Sequence, residues 1–164
     1  MSDIAIRLAK EDDVAEMVAL INEIIRLGGT TAHQGQFTHA SFTEHFLGED
    51  NLCCYVAIDD ADTIAGFQSL HSFDERSVDW TDIATFARVS PKTPGVGTAL
   101  FAATSAFARN TGKVAINATI RADNTGGLAY YDKMGFETYD RQVNVPLADG
   151  TLVDRISKRF ELKP

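Results

Sequence analysis

A strand that leads through a glycine turn into a helix is the feature that most constrains the fold of this chain. Residues 83–89 are rich in β-branched and apolar side chains, and residues 100–107 place apolar side chains at helical spacing. Between them, Gly95 and Gly97 let the backbone turn sharply and approach an anion closely. The first N–H groups of a helix have no internal partner and attract negative charge. The segment predicts a phosphate-binding turn, although a tight turn without a ligand has the same pattern.

A second block further along the chain adds weight to the first. Residues 124–136 follow the strand-like run 114–120 and predict a short helix. Asp123 or Asn124 can cap its first turn, and Gly135 offers the left-handed conformation that commonly ends a helix.

Together, residues 91–100 and 124–136 resemble two motifs of the GCN5-related N-acetyltransferases (GNAT). In that family the first motif, Arg or Gln followed by x-x-Gly-x-Gly or Ala, wraps the pyrophosphate of coenzyme A. The second motif carries an asparagine, a tyrosine near the acetyl sulfur and a Gly-Phe that starts the next strand. Residues 4–21 resemble the first strand and helix of the family, so the resemblance covers most of the chain. Residues 79–81 and 89–91 resemble, more faintly, the phosphinothricin acetyltransferase subgroup.

The resemblance implies a set of coenzyme-binding residues. Lys92 takes the Arg or Gln position, the two glycines take the small positions, and Val89 is the strand-end residue whose backbone pairs with the pantetheine arm. The residues expected to bind acetyl-CoA are Ala87, Val89, Lys92, Gly95, Val96, Gly97, Thr98, Asn124 and Tyr131. The loop is shorter than in many members, and Lys92 supplies a point charge without the planar fork of arginine.

The same resemblance makes Tyr131 the candidate general acid, which would protonate the departing sulfur. Without the motif, Tyr131 would be read as an aromatic residue packed on a helix face. Tyr130 matches no functional position, and packing or exposure accounts for it.

The general base and the acceptor pocket are less directly indicated. Many members carry a glutamate on the strand before the loop, and here Ile83 takes that place with Asp82 beside it. We take Asp82 as the first candidate base and Glu23 as the second, either acting through a water molecule. Trp80 and His71 are candidates for contact with the acceptor, with a core role and a hydrogen-bonded structural histidine as the respective alternatives.

The composition indicates an ordinary globular protein. The chain has 164 residues, 23% charged and 45% hydrophobic, and predicts one domain over residues 1–164. A net charge of −8 disfavours nucleic-acid binding and suits a neutral or cationic amine. We expect a cytoplasmic protein, because the chain opens without a signal peptide and has no apolar run near the roughly 20 residues of a membrane span.

Neither the cysteines nor the histidines indicate a metal. Cys53 and Cys54 are adjacent in a strand-like run, so their side chains point to opposite faces and are expected to be buried thiols. His33, His39 and His45 lack zinc-ligand spacing with cysteine or carboxylate residues.

The predicted element order is β-α-α-β-β-β-α-β-α-β-β, an α/β (α+β) fold with a mixed central sheet of about seven strands and about four flanking helices. Residues 59–62 predict a hairpin turn, and residues 78–89 predict the strand before the glycine turn. Residues 30–39 predict a loop, which in the resembling family lies over the acceptor site. Ser41 is expected to cap the following helix, with Glu44 as its capping-box partner.

These observations predict an N-acetyltransferase that moves the acetyl group of acetyl-CoA directly to a small primary amine, such as an amino acid, in a ternary complex. A non-catalytic module that binds acyl-CoA as a sensor is the alternative. A nucleotide-binding protein is a further alternative, although Gly-x-Gly-x-x-Gly and the Walker sequence are absent. The C-terminal hairpin, predicted from residues 138–145 and 151–162, could pair two copies in a homodimer.

Overall fold

The computed structural model describes residues 3–73 and 78–162. A short 3₁₀ helix precedes the first of four α-helices, and seven strands form one sheet in the order β1-β2-β3-β4-β5-β7-β6. The elements are β1 (Ala5–Leu8), α1 (Val14–Leu27), α2 (His39–Leu47), β2 (Asn51–Ile58), β3 (Ile64–Ser72), β4 (Trp80–Ala87), α3 (Val96–Asn110), β5 (Ala115–Arg121), α4 (Thr125–Met134), β6 (Glu137–Pro146) and β7 (Leu152–Glu161). The predicted fold class and order are confirmed.

The sheet opens between its two central strands. All neighbouring strands are antiparallel except β4 and β5, which run parallel and pair over only three residues, from Trp80↔Ala115 to Asp82↔Asn117. Beyond that point β4 stays with β3 and β5 stays with β7. We call the space between residues 83–87 and 118–121 the β4–β5 cleft.

Helices cover the two faces of the sheet with separate cores. The helices α1 and α2 pack on β2, β3 and β4 around fully buried aromatic rings, including Phe42, Phe46 and Phe67. The helices α3 and α4 pack on the other face against Leu70 and Ile116. We name these the α1/α2 face and the α3/α4 face.

Strand alternation distributes the polar residues between the faces. Because successive side chains of a strand point to opposite faces, Asp82 lies on the α1/α2 face with Phe86, while Thr85 lies on the α3/α4 face. The partners of Asp82 and Thr85 on β3 are His71 and Gln68. Asp82 and His71 therefore form a polar pair on the α1/α2 face, and Thr85 and Gln68 form a second pair on the α3/α4 face.

Some predicted boundaries were wrong. The N-cap of α2 is Thr38, not Ser41: the Ser41 N–H donates to Thr38 Oγ1 at 3.0 Å, and Ser41 Oγ accepts from the Thr38 N–H at 2.9 Å. Ser41 therefore fills the capping-box position expected for Glu44, because a hydroxyl can both donate and accept there. The strand β4 is also shorter than predicted and stops before Val89.

The local turn predictions are confirmed. The turn after β2 is held by Asp59, whose Oδ1 accepts from the N–H groups of Ala61 and Thr63 at 3.0 and 2.9 Å. Gly135 ends α4 in the left-handed conformation with φ of 103°. Both cysteines are buried thiols. Within residues 3–73 and 78–162, no helix is long and apolar enough to cross a membrane.

Candidate active site

The start of α3 presents free backbone donors. Gly95 caps this helix with a φ of 87°, which a residue with a side chain rarely adopts. The first bond along the helix runs from the Ala99 N–H to the Gly95 carbonyl at 3.0 Å. The N–H groups of residues 96–98 consequently have no partner within the helix and can bind an anion.

Gly97 leaves space that Tyr130 fills. A Cβ atom on Gly97 would lie only 2.5 Å from Cε1 of Tyr130. The Tyr130 hydroxyl donates to the Gly97 carbonyl at 2.7 Å, which ties α4 to the first turn of α3. Tyr130 was expected to have no function, and its observed contact gives it a part in holding this turn.

The loop before α3 is held by an arginine. The Arg88 guanidinium donates to Asp59 Oδ2 at 2.8 Å, to Thr93 Oγ1 at 3.0 Å and to the Pro91 carbonyl at 2.9 Å. The hydrogen bond from Arg88 keeps the pKa of the Asp59 carboxyl well below its usual range. Arg88 therefore fixes the short loop to the β2–β3 turn, while Lys92 is exposed on that loop.

The end of β4 directs backbone groups toward the cleft. The Arg88 N–H donates to the Ala65 carbonyl on β3 at 2.9 Å. Because backbone groups alternate along a strand, the N–H and C=O of Ala87 point the other way, into the β4–β5 cleft. Val89 follows β4, is 37% exposed and lies within the loop.

Asn124 caps α4 and also fixes a loop. Its Oδ1 accepts from the Gly127 N–H at 2.9 Å, and its Nδ2 donates to the Thr30 carbonyl at 3.0 Å. Of the two predicted caps, Asn124 is the one observed. Asp123 instead pairs with Arg121 at 2.8 Å.

Tyr131 is buried, and its hydroxyl reaches β4 beside the cleft. It lies 2.8 Å from Thr85 Oγ1, and burial raises the pKa of the phenol above its usual range. Gln68 Nε2 donates to the same threonine at 2.9 Å and to Tyr130 Oη at 3.0 Å.

The number of available hydrogens favours one assignment of donors and acceptors in this network. Tyr130 uses its only hydrogen on the Gly97 carbonyl, so the amide nitrogen of Gln68 has to face Tyr130 as the donor. Thr85 then accepts from Gln68 and can donate its own hydrogen to Tyr131. That arrangement leaves the hydrogen of the Tyr131 hydroxyl available for another acceptor.

Asp82 lies on the other face, in a half-buried polar group. Asn117, which is fully buried, donates to Asp82 Oδ1 at 2.8 Å, and the Tyr139 hydroxyl donates to the carbonyl oxygen of the Asn117 side chain. Burial raises the pKa of the Asp82 carboxyl, and the Asn117 contact partly opposes this shift. A carboxyl with a raised pKa at a cleft is suited to accept a proton.

The two predicted acceptor residues border this group. His71 is directly opposite Asp82 on β3 and contacts the His45 carbonyl at 2.9 Å through Nε2. Trp80 stacks on Phe73 and meets the Tyr139 ring edge to face at 5.9 Å. Both side chains are half-buried.

Glu23 makes its side-chain contact with Arg26 and not with the residues described above. It is exposed on α1 and pairs with Arg26, which lowers the pKa of its carboxyl. A carboxylate already paired in this way is a weaker base, so Asp82 is the better candidate.

The loop over the α1/α2 face, residues 28–38, is tied to β5, to the turn between β6 and β7, and to α1. Arg121 Nη1 donates to the Thr31 carbonyl at 3.0 Å, and the Asp149 N–H donates to Gln34 Oε1 at 2.8 Å. Asn22 holds the far end through both the N–H and the carbonyl of Phe37. The predicted loop is therefore present and joins α1 to the C-terminal hairpin.

Sequence reasoning missed the residues that hold the candidate side chains on each face, which are Gln68 and Thr85 beside Tyr131 and Asn117 and Tyr139 beside Asp82. The signal was weak but real for Gln68, which is a polar residue within an apolar, fully buried stretch of β3. Residues 3–73 and 78–162 contain no group of three His, Cys, Asp or Glu side chains that could hold a metal ion.

The chain matches a known protein family and several solved structures. A family model of the acetyltransferase (GNAT) domain matches residues 6–156. An N-acetyltransferase from Staphylococcus aureus Mu50 has 19% sequence identity and a TM-score of 0.88, over 98% of this chain and 99% of that chain. No curated protein sequence matches the chain.

Two further solved structures concern phosphinothricin acetyltransferases. A candidate phosphinothricin N-acetyltransferase has 26% identity and a TM-score of 0.85, over 99% of this chain and 100% of that chain. A GNAT superfamily phosphinothricin acetyltransferase from Sinorhizobium meliloti, in complex with acetyl-CoA, has 17% identity and a TM-score of 0.85, over 97% of this chain and 88% of that chain.

Proposed function

Since this chain belongs to the GNAT acetyltransferases, we propose that residues 1–164 act as one domain. It would transfer the acetyl group of acetyl-CoA directly to a small primary amine, such as an amino acid, in a ternary complex. The observation that carries the proposal is the β4–β5 cleft, which has a protonated tyrosine on one face and a carboxyl of raised pKa on the other.

The residues around the cleft fit acetyl-CoA. The free N–H groups of residues 96–98 and the exposed Lys92 would hold the pyrophosphate, and the packing of Tyr130 against Gly97 holds the first turn of the helix in place. The backbone groups of Ala87 that face the cleft would pair with the pantetheine arm. Acetyl-CoA supplies the activated acetyl group as a thioester.

Tyr131 serves as the general acid in this proposal. Its raised pKa keeps the phenol protonated at neutral pH, and Thr85 can occupy its oxygen as a donor while leaving its hydrogen available. That hydrogen would pass to the departing thiolate. The cost of releasing an unprotonated thiolate is thereby avoided.

Asp82 serves as the base, directly or through water. An amine has to lose a proton before or during attack, and Asp82 is the carboxyl at the junction where β4 and β5 part. Asn117 holds one of its oxygens, which fixes the direction of the other.

Direct transfer is supported by the state of the two cysteines. Burial raises the pKa of both Cys53 and Cys54 to about 12, so neither forms a thiolate near neutral pH. An acetyl group carried on cysteine therefore has no suitable nucleophile.

The test combines binding with turnover in one sample. Acetyl-CoA is titrated calorimetrically, and thiol release is then followed over a panel of amino acids, polyamines and aminoglycosides. Binding with release that depends on a small amine supports the proposal. Saturable binding with no release across the panel would favour the sensor, and no binding would contradict the assignment of the α3 turn.

A further inference from the structure

Two arginines face each other across neighbouring strands on the α1/α2 face. Arg121 on β5 is directly opposite Arg155 on β7, and like charges in that position destabilise a sheet. The next residue in the row, Gln142 on β6, brings no negative charge. In a chain with a net charge of −8, this is an unusual concentration of positive charge.

The two arginines differ in their partners. Arg121 is neutralised by Asp123 at 2.8 Å and also bonds the Thr31 carbonyl, with only 10% of its side chain exposed. Arg155 is half-buried, and its Nε is fully enclosed with no hydrogen-bond partner. Within residues 3–73 and 78–162, no ion pair or side-chain hydrogen bond accounts for the Arg155 guanidinium.

Nearby carboxylates are already engaged elsewhere. Asp154, the residue before Arg155, bonds Arg141 and the Asn144 N–H. Asp140 on β6 accepts from the Arg141 N–H. A buried guanidinium N–H without an acceptor is costly, and a bound anion would remove that cost.

The surface around Arg155 is open and belongs to the proposed acceptor side. Asn117, Thr119 and Arg121 alternate along β5 and so share the face of Asp82. Thr119 is exposed even though its strand is central, because α1 and α2 pack mainly on β2 to β4. The loop 28–38 passes over this side through the Arg121–Thr31 contact.

We propose that Arg155 binds an acidic group of the acceptor, a carboxylate in the simplest case, while the amine of the acceptor is held near Asp82. The Asn117 row and the Arg121 row are four residue steps apart, about 13 Å along β5, which itself lies between the strands of Asp82 and Arg155. The long arginine side chain and a small acceptor together can span this distance. The inference rests on the proposed function and narrows its acceptor to amines that also carry an acid.

The experiment compares matched acceptors that differ only in the acid. Glycine, L-methionine, L-phenylalanine and L-glutamate are each paired with the corresponding α-carboxamide or decarboxylated amine, and kcat/KM is measured by thiol release. The same compounds are titrated calorimetrically into the protein saturated with coenzyme A, which reports binding without turnover. The variants are Arg155→Gln and Arg155→Lys. Arg141→Gln is the control, because it removes the same charge from an exposed residue of the same hairpin that pairs with Asp154.

The wild-type protein is expected to prefer the acids by about tenfold to hundredfold, the usual effect of a charged hydrogen bond. Arg155→Gln should abolish the preference, Arg155→Lys should retain part of it, and Arg141→Gln should leave it unchanged. A matching thermal midpoint for the variants and the wild type excludes misfolding as the cause.

Three results would overturn the inference. The first is an acid preference that survives in Arg155→Gln. The second is a loss of acetyl-CoA affinity in that variant with unchanged acceptor discrimination, which would assign the anion to a phosphate of the coenzyme. The third is a wild-type protein that neither binds nor prefers any acid of the panel. Binding of acids that depends on Arg155, without thiol release, would instead keep the inference and contradict the proposed reaction.

Discussion

The α3 turn and the α1/α2 face of β5 and β7 differ in whether their side chains have partners within the protein. Around the turn, Arg88 and Tyr130 already have protein partners, while the N–H groups of residues 96–98 have none within the helix and Lys92 is exposed. On the sheet face, the buried Nε of Arg155 has no hydrogen-bond partner within residues 3–73 and 78–162. Under the proposed function, contacts within the chain complete the turn that binds the coenzyme, whereas the surface that selects the acceptor keeps an arginine with which the acceptor would pair.

The largest expected effect comes from Tyr131→Phe, because it removes the proposed proton donor at the junction of the two regions. We expect kcat to fall by about 10²- to 10⁴-fold while the Kd for acetyl-CoA stays near the wild-type value. Steady-state kinetics and calorimetry check this. Unchanged turnover would remove Tyr131 from the mechanism.

The Thr85 hydroxyl provides a sharper version of the same test. Thr85→Val should lower kcat in the wild-type background and have little further effect in Tyr131→Phe, because Thr85 acts through the tyrosine. Thr85→Ser should restore most of the rate. Thr81→Val is the control, since Thr81 is a buried threonine of the same strand that bonds the His71 carbonyl.

Asp82→Asn separates catalysis from stability on the acceptor side. We expect kcat/KM to fall by about 10²-fold, because the base is lost. In the wild-type protein, kcat/KM should rise with pH through the raised pKa of Asp82, and this limb should vanish in the variant.

The same Asp82→Asn substitution that lowers kcat/KM should raise thermal stability at high pH. The raised pKa means that the folded state favours the protonated carboxyl, so this contribution is present below the unfolded pKa and is lost as pH rises through the folded pKa. Above that range, the variant should unfold at a higher temperature than the wild type. Equal or lower midpoints at pH 8 would contradict the cost of burying this carboxylate.

Gly97→Ala tests the α3 turn with a smaller effect. The new Cβ would displace the Tyr130 ring, and we expect the Kd for acetyl-CoA to rise by about tenfold. Gly126→Ala is the control, because its Cβ would have 3.9 Å of clearance from Asn124. Equal affinities for the two variants would contradict a role for the close approach at Gly97.

Tyr130→Phe is expected to have the smallest effect. It removes one neutral hydrogen bond to the turn, so we expect the Kd for acetyl-CoA to rise by about two- to tenfold with little change in kcat. A large loss of kcat with unchanged affinity would show that Tyr130, and not Tyr131, is the tyrosine that acts in the reaction.

Local signals predicted much of the fold. Gly95, Gly135 and Asn124 mark helix ends through backbone conformation or capping that depends on the residue itself. The α2 cap was missed because Thr38 and Ser41 can both serve, and only the backbone entry into the helix decides between them.

The candidate site was predicted less completely, because it depends on register. The parting of β4 and β5 after Asp82 and Asn117 depends on how these strands pair with β3 and β7, and it has no marker in the sequence. The same holds for the pairing of Arg121 with Arg155, which lie 34 positions apart in the chain. Motif matching selected Tyr131, but the side chains that orient it could be found only from the sheet.

Mass spectrometry after a single turnover tests direct acetyl transfer most directly. The protein, acetyl-CoA and an excess of an accepted amine are mixed and quenched, and both the small molecules and the intact protein are weighed. Direct transfer predicts one acetyl group on the amine, free coenzyme A and an unmodified protein. Acetylated protein that forms and then decays would contradict direct transfer, and intact acetyl-CoA beside unmodified amine would contradict acetyl transfer itself.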